Sequence, residues 1–268
     1  MEKFSKALIA FVVLAISLVS AAPKEGEIIK VIQNTTPEFT TEYTSNFYRE
    51  TKQIKDLLEP VVKIDFVVEF NGAEIVAATG TGFGIKYDRE HDVSYVVTNA
   101  HICNIAANSG IPLPHRFYFE DRDTVMNPHL NEFSGDLFPV VMDIQKDLCL
   151  MITNKYIRPA SLANYGDVHQ MDPVKIIGAP NGVYPIIIDS YVSNLISRNI
   201  MGPQIKEGRP LLFLSGLIFG GQSGSPIYNT AGKVIGVMFM NLNNEQGPIY
   251  GAAAIPIDDV KDFLAEHL

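Results

Sequence analysis

From residue 61 onward the chain is a succession of short apolar runs broken by glycine, proline and asparagine. Val61–Phe70 is rich in Val, Ile and Phe, and Asn71-Gly72 signals a tight hairpin turn into Glu74–Ala78. Thr79–Lys86 follows with Gly80, Gly82 and Gly84, a pattern of close backbone approach or of a bulge. Val93–Thr98, Arg116–Glu120, Val140–Ile144 and Leu148–Thr153 complete a first set of predicted strands. Ala100–Asn108 reads as a short helical piece, and most of Ser109–Pro139 as surface loop. After a connection at Pro159–Pro173 the grammar repeats in Val174–Ile177, Pro185–Ile196, Leu211–Leu214, Ile227–Tyr228, Val234–Met240 and Ile249–Ile255. Helical spacing is confined to the two ends. Phe47, Ile54, Leu57 and Leu58 recur over residues 45–58 until Pro60 stops them, and Val260, Phe263, Leu264 and Leu268 share one face of Ile257–Leu268. Many short strands with few helices predict an all-β barrel or sandwich. Two runs of about six strands each predict two barrels, one over about 60–157 and one over about 172–257, with a closing helix at 257–268.

Composition adds compartment and excludes partners. A formal net charge of −9 argues against nucleic acid, which selects a basic face. Lys3 and Lys6 precede the apolar run Ala7–Val19, and Val19-Ser20-Ala21 offers small residues for cleavage, so residues 1–21 read as an export signal. An uncleaved membrane anchor is the alternative, although the run is shorter than the roughly 20 residues that span a bilayer. The expected location is therefore periplasmic or extracellular, or membrane-anchored and facing outward. Residues 22–44 are polar and lack periodicity, as in a linker or arm. Export makes the two cysteines a candidate bridge, but Cys103 and Cys149 are equally readable as two small buried hydrophobes. His91, His115, His129, His169 and His267 are scattered, and no metal-ligand spacing exists, so no metal is expected.

Three stretches can carry chemistry. Gly220-Gly221-Gln222-Ser223-Gly224-Ser225-Pro226 separates two apolar runs. Glycines beside a serine permit a tight backbone that turns consecutive N–H groups toward one point, which an oxyanion hole requires. A plain Gly-Ser turn would have the same residues. Val96-Val97-Thr98-Asn99-Ala100-His101 sets a histidine at the exit of an apolar strand, where it is rigidly held. Asp147-Leu148-Cys149-Leu150-Met151-Ile152 sets an aspartate at the mouth of another. A serine nucleophile needs such a base, and the base needs such a carboxylate to fix its tautomer.

Strand-Thr-x-Ala-His, Asp-Leu-x-Leu and Gly-x-Ser-Gly-x-Pro, in that order, resemble the chymotrypsin-fold serine proteases. The intervals, 46 residues from His101 to Asp147 and 76 from Asp147 to Ser223, are compatible with that pattern. Thr79-Gly80-Thr81-Gly82-Phe83-Gly84-Ile85 resembles the glycine-rich strand of bacterial HtrA/Deg-type proteases. The helix at 45–58 with Pro-Val-Val-Lys-Ile, and Ala253-Ala254-Ile255-Pro256-Ile257 with the final helix, resemble the two ends of their protease domain. The likeness covers about residues 50–268. It implies two six-stranded antiparallel β-barrels and a protease domain at 45–268. That branch usually carries a PDZ domain after the closing helix, where this chain ends, so a member without one is expected. Ser225 departs from the branch's usual glycine toward glutamyl endopeptidases. Their acid-binding histidine, however, is replaced here by Met238, so no glutamate preference is expected.

The resemblance implies that His101 is the general base, Asp147 its orienting acid and Ser223 the nucleophile. The N–H groups of Gly221 and Ser223 would form the oxyanion hole, with protein or peptide substrates and no cofactor. It implies a specificity pocket at Leu217, Ile218, Phe239, Met240 and Asn241, with register open by a residue or two. No acidic residue stands there, so an apolar side chain before the scissile bond is expected. HtrA-like relatives also imply a homotrimer through the N-terminal segment, to which Phe39, Tyr43, Phe47 and Tyr48 could contribute. The competing reading is a catalytically idle protease-fold binding or assembly protein, of which an inverted Gly221 peptide would be the sign.

Overall fold

The computed structural model describes residues 53–109, 115–121, 134–197, 210–216, 218–244 and 247–268. Twelve strands form two closed antiparallel barrels. The first contains β1 (Val61–Phe70), β2 (Ala73–Asp88), β3 (Val93–Thr98), β4 (His115–Glu120), β5 (Ser134–Asp143) and β6 (Leu148–Thr153), in the order β1-β2-β3-β6-β5-β4. The second contains β7 (Pro173–Gly178), β8 (Ile186–Ser197), β9 (Pro210–Leu214), β10 (Pro226–Tyr228), β11 (Val234–Asn244) and β12 (Gly247–Pro256), in the order β10-β11-β12-β9-β8-β7. Between β3 and β4 lie two short helices, α1 (Ala100–Cys103) and α2 (Ile105–Ser109), and α3 (Ile257–His267) closes the described chain.

Side-chain alternation explains the barrels. Along β1, Val62, Ile64, Phe66 and Val68 point into the first barrel, where they meet Val96, Phe117, Phe119, Leu137 and Met151. Ile176, Val192, Leu212, Leu214, Ile227 and Ile235 fill the second. A third cluster joins Val61, Phe83, Val97, Leu148 and Leu150 to Tyr228, Val237, Phe239 and Ile255 and to Val260, Phe263 and Leu264 of α3. The apolar face of α3 is thereby buried, with β11 and β12 as its main packing partners. Burial of each large side chain in these clusters stabilises the fold by roughly 1.5–3 kcal/mol.

Several local expectations are corrected. Glu74–Ala78 and Thr79–Lys86 are one strand, because β2 pairs with β1 up to Gly82-Phe83 and then with β3 from Phe83. The region expected to be mostly loop before Val140 already belongs to β5 from Ser134, which pairs with β4 and β6. Gly135, Asp136 and Pro139 disguise that strand. The helical piece after β3 is two helices, broken at Asn104. Of the helix expected at 45–58, residues 53–58 are helical and the rest lies outside the described residues. His129, the export signal, the arm and the four aromatic residues of the proposed trimer contact also lie outside them.

Candidate active site

His101 stands in α1, directly after β3. Asn99 caps this turn, its carbonyl accepting from Ile102 N–H and Cys103 N–H, and its side-chain amide donates to the Asp147 carbonyl at 3.0 Å. Asp147 ends the tight turn between β5 and β6 with φ 52°, an uncommon backbone region for a non-glycine residue. Its carboxylate takes two bonds from one residue. Oδ1 accepts from the His101 backbone N–H at 2.9 Å, and Oδ2 is 2.8 Å from His101 Nδ1. The side chains are 33% and 15% exposed, so the imidazole edge is open while the carboxylate is screened. Two residues beyond each partner, Cys103 and Cys149 form a disulfide, which resolves the reading left open above.

Ser223 lies on the loop between β9 and β10, which both barrels hold. Thr81 N–H of β2 donates to the Ser223 carbonyl at 2.8 Å, and Gly224 N–H donates to the Met238 carbonyl at 2.8 Å. Gly224 adopts φ +86°, and a Cβ there would collide with the Thr81 carbonyl oxygen and the Thr98 hydroxyl. Thr98 is three residues before His101, so the serine loop abuts the strand end that carries the histidine.

The loop is closed on itself by Gln222, whose side-chain oxygen accepts from Phe219 N–H at 2.9 Å. The Gly220 carbonyl accepts from Asn181 N–H at 2.6 Å and the Gln222 carbonyl from Ser225 N–H at 3.0 Å. A peptide's N–H points opposite to its carbonyl. These two bonds therefore fix the direction of the Gly221 and Ser223 N–H groups, neither of which donates a hydrogen bond among the described residues. Gly221 has φ +93°, and a Cβ on it would strike the Ala179 carbonyl. Gly221 and Gly224 thus both take a positive φ in this loop.

Of the five residues expected to line a specificity pocket, the three with described side chains, Ile218, Phe239 and Met240, fall in two different apolar clusters. Ile218 packs in barrel two with Met238, Ala252 and Ala254. Phe239 and Met240 pack instead in the cluster between the barrels, where Phe239 shares a small cleft with Asp147, Leu211 and Ile255. The cause is alternation plus a β-bulge. Met238 and Phe239 face opposite sides of β11, and the bulge between Met238 and Met240 keeps Met240 on the Phe239 side. Leu217 and the side chain of Asn241 lie outside the described residues. Sequence reasoning missed Thr81, Asn99 and Asn181, whose partners Gly221, Asp147 and Gly220 are 140, 48 and 220 − 181 = 39 residues away. Only the TGTG repeat around Thr81 could have pointed to one of them. No three His, Cys, Asp or Glu side chains converge as metal ligands among the described residues.

The chain is 26% identical over 197 residues to the Serine protease Do-like HtrA of Bacillus subtilis (strain 168), covering 71% of this chain and 40% of that protein. It is 27% identical over 198 residues to the mitochondrial Serine protease HTRA2 of Bos taurus, covering 73% and 37%. It thus spans well under half the length of either relative. Among solved structures, the active form of the Rv3671c protease of M. tuberculosis superposes with a TM-score of 0.59 at 18% identity, over 81% of this chain and 84% of that one, and so shares its fold. The trypsin-like peptidase domain family matches residues 80–237. That match contains Thr81, His101, Asp147 and Ser223, and the chain belongs to the trypsin-like peptidase domain family.

Proposed function

We propose that the chain is an exported serine endopeptidase acting through His101, Asp147 and Ser223. The observation that carries this reading is the double bond set from His101 to the Asp147 carboxylate at 2.8 and 2.9 Å, beside a serine loop seated against the same barrel. A carboxylate on Nδ1 leaves the proton there and presents Nε2 as the base. His101 would take the Ser223 proton as the hydroxyl attacks a peptide carbonyl. The Gly221 and Ser223 N–H groups would hold the oxyanion. His101 would then protonate the leaving amine, and water would hydrolyse the acyl-enzyme. The bond from Asn181 to the Gly220 carbonyl holds that peptide in one orientation.

Substrates in this reading are proteins or peptides with an apolar side chain before the scissile bond. The ground for that preference is that no acidic residue stands among Leu217, Ile218, Phe239, Met240 and Asn241. The disulfide supports export, since such bonds persist in oxidising compartments. Assembly as a trimer through the N-terminal segment is proposed from the HtrA likeness alone. The test is labelling by a fluorophosphonate probe and cleavage of a denatured protein, with Ser223→Ala as control. Both should vanish in the variant. Equal labelling of the variant would remove Ser223 from the role, and a cleavage profile dominated by Lys or Arg would remove the apolar preference.

A further inference from the structure

Thr81 is fully buried and carries more of the site's internal bonding than any side chain assigned above. Its hydroxyl accepts from Ala179 N–H at 3.1 Å and donates to the Gly221 carbonyl at 2.8 Å. Its backbone N–H donates to the Ser223 carbonyl at 2.8 Å, and its carbonyl accepts from the Thr98 hydroxyl at 2.7 Å. Every polar atom of the residue is thus spent on the segments that carry the base, the nucleophile and the oxyanion loop.

The hydroxyl has a particular place in that arrangement. The peptides bearing the Gly221 and Ser223 N–H groups are each anchored at their carbonyls, by Asn181 and by Ser225. Between them lies the Gly221–Gln222 peptide, which sets how the two N–H groups are oriented toward each other. Its carbonyl is the one held by the Thr81 hydroxyl. Glycine at 221 has no side chain to restrict its φ and ψ, so that rotation needs an external hold. Through Ala179 the same hydroxyl grips the base of the turn at Pro180–Gly182 that presents Asn181. One hydrogen-bonding group therefore links both sides of the oxyanion loop.

We infer that Thr81 is a positioning residue for the oxyanion hole: its hydroxyl, on barrel one, sets the mutual alignment of two donors that belong to barrel two. This rests on the proposed serine-protease reading. The role acts on the transition state, since the donors meet a negatively charged oxygen only when the tetrahedral species forms. Substrate binding in the ground state does not use it.

The test compares Thr81→Val, which keeps the shape and loses the hydroxyl, with Thr81→Ser, which keeps the hydroxyl and loses the methyl. On a peptide substrate, kcat of Thr81→Val should fall about 10²-fold, near the loss of a whole oxyanion donor, with KM within about twofold. Affinity for a peptidyl boronic acid, whose tetrahedral adduct occupies the hole, should fall in parallel. Thr81→Ser should recover to within about threefold on both readouts. Thr81→Ala, which removes atoms and adds none, takes the place of Thr81→Val if that variant does not fold. Unchanged kcat in a folded hydroxyl-less variant overturns the inference. So does a Thr81→Ser defect equal to that of Thr81→Val, which would make the methyl the important group. Hydrolysis that persists in Ser223→Ala brings down the protease reading itself. Normal wild-type hydrolysis with unimpaired Thr81→Val brings down this inference alone.

Discussion

Asp147→Asn is the sharpest test of how the base is held, because asparagine keeps the carboxylate's shape and removes one acceptor. In the wild type both oxygens are used, one by the His101 backbone N–H at 2.9 Å and one by Nδ1 at 2.8 Å. The amide can satisfy only one of these donors. If its oxygen faces the backbone N–H, its NH2 meets Nδ1, which must then be unprotonated, and the proton moves to Nε2. If its oxygen faces Nδ1, the NH2 opposes the backbone N–H and leaves a part-buried donor unpaired, at about 1–3 kcal/mol. The first arrangement is favoured by that difference, so the tautomer with a free basic Nε2 becomes a minority of roughly one in five to one in 150. Loss of the negative charge beside the developing imidazolium adds several kcal/mol at an effective dielectric near 20. The product is a kcat loss of about 10⁴–10⁵, and about 10⁴ is the known effect of this change in a related triad. The assay is kcat on a peptide substrate, corrected for folded protein by circular dichroism. A folded Asp147→Asn within tenfold of wild type would refute the argument.

Gly224→Ala should abolish activity and destabilise the fold by about 2 kcal/mol or more, because φ +86° and the Thr81 carbonyl both oppose a Cβ; urea unfolding followed by fluorescence reads this directly. Replacing Cys103 and Cys149 together by alanine should cost up to about 4 kcal/mol, since the bridge closes a loop with a sequence separation of 46. The same unfolding curve, with and without reductant on the wild type, measures it. Tyr228→Phe should be neutral or stabilising by about 1 kcal/mol, because its hydroxyl is buried without a hydrogen-bond partner among the described residues and burial pushes its ionisation up. A loss above 1 kcal/mol would reveal a partner for that hydroxyl.

What could be read from the sequence was whatever is local. Asn71-Gly72 announced its hairpin because both residues take positive φ there, 55° and 77°, and Phe70 duly pairs with Ala73. Leu148–Thr153 and Leu211–Leu214 were legible as strands because continuous apolar runs are buried on both sides. His101 and Asp147 were visible as strand-end residues, and their order along the chain supplied the rest. Three things were not legible, each for a non-local reason. The disulfide needed the distance between two segments. The placing of Met240 on the Phe239 side, away from Ile218, depended on a bulge that no residue of β11 advertises. Thr81 looked like one more small residue in a glycine-rich strand, since its meaning lies in a carbonyl 140 positions away.

The layout of the site also says how its parts should combine. In the proposed mechanism base and acid, His101 and Asp147, both come from barrel one, held together by the two bonds to Asp147 and by the bridge two residues beyond each partner. The proposed nucleophile and oxyanion donors, on the Gly221–Ser223 loop, come from barrel two, and Thr81 connects the halves through backbone and hydroxyl. Asp147→Asn therefore damages proton transfer and leaves the donors in place, while a hydroxyl-less Thr81 does the reverse. Catalysis that survives loss of a triad member comes from the oxyanion hole and binding. Thr81→Val should accordingly lower the rate of the Asp147→Asn enzyme by about the same 10²-fold as it lowers the wild type. An activated ester, which acylates readily, keeps that small turnover measurable. A double variant no slower than Asp147→Asn alone would mean that the two residues act as one unit, and the division of the site between the barrels would then be only a matter of chain topology.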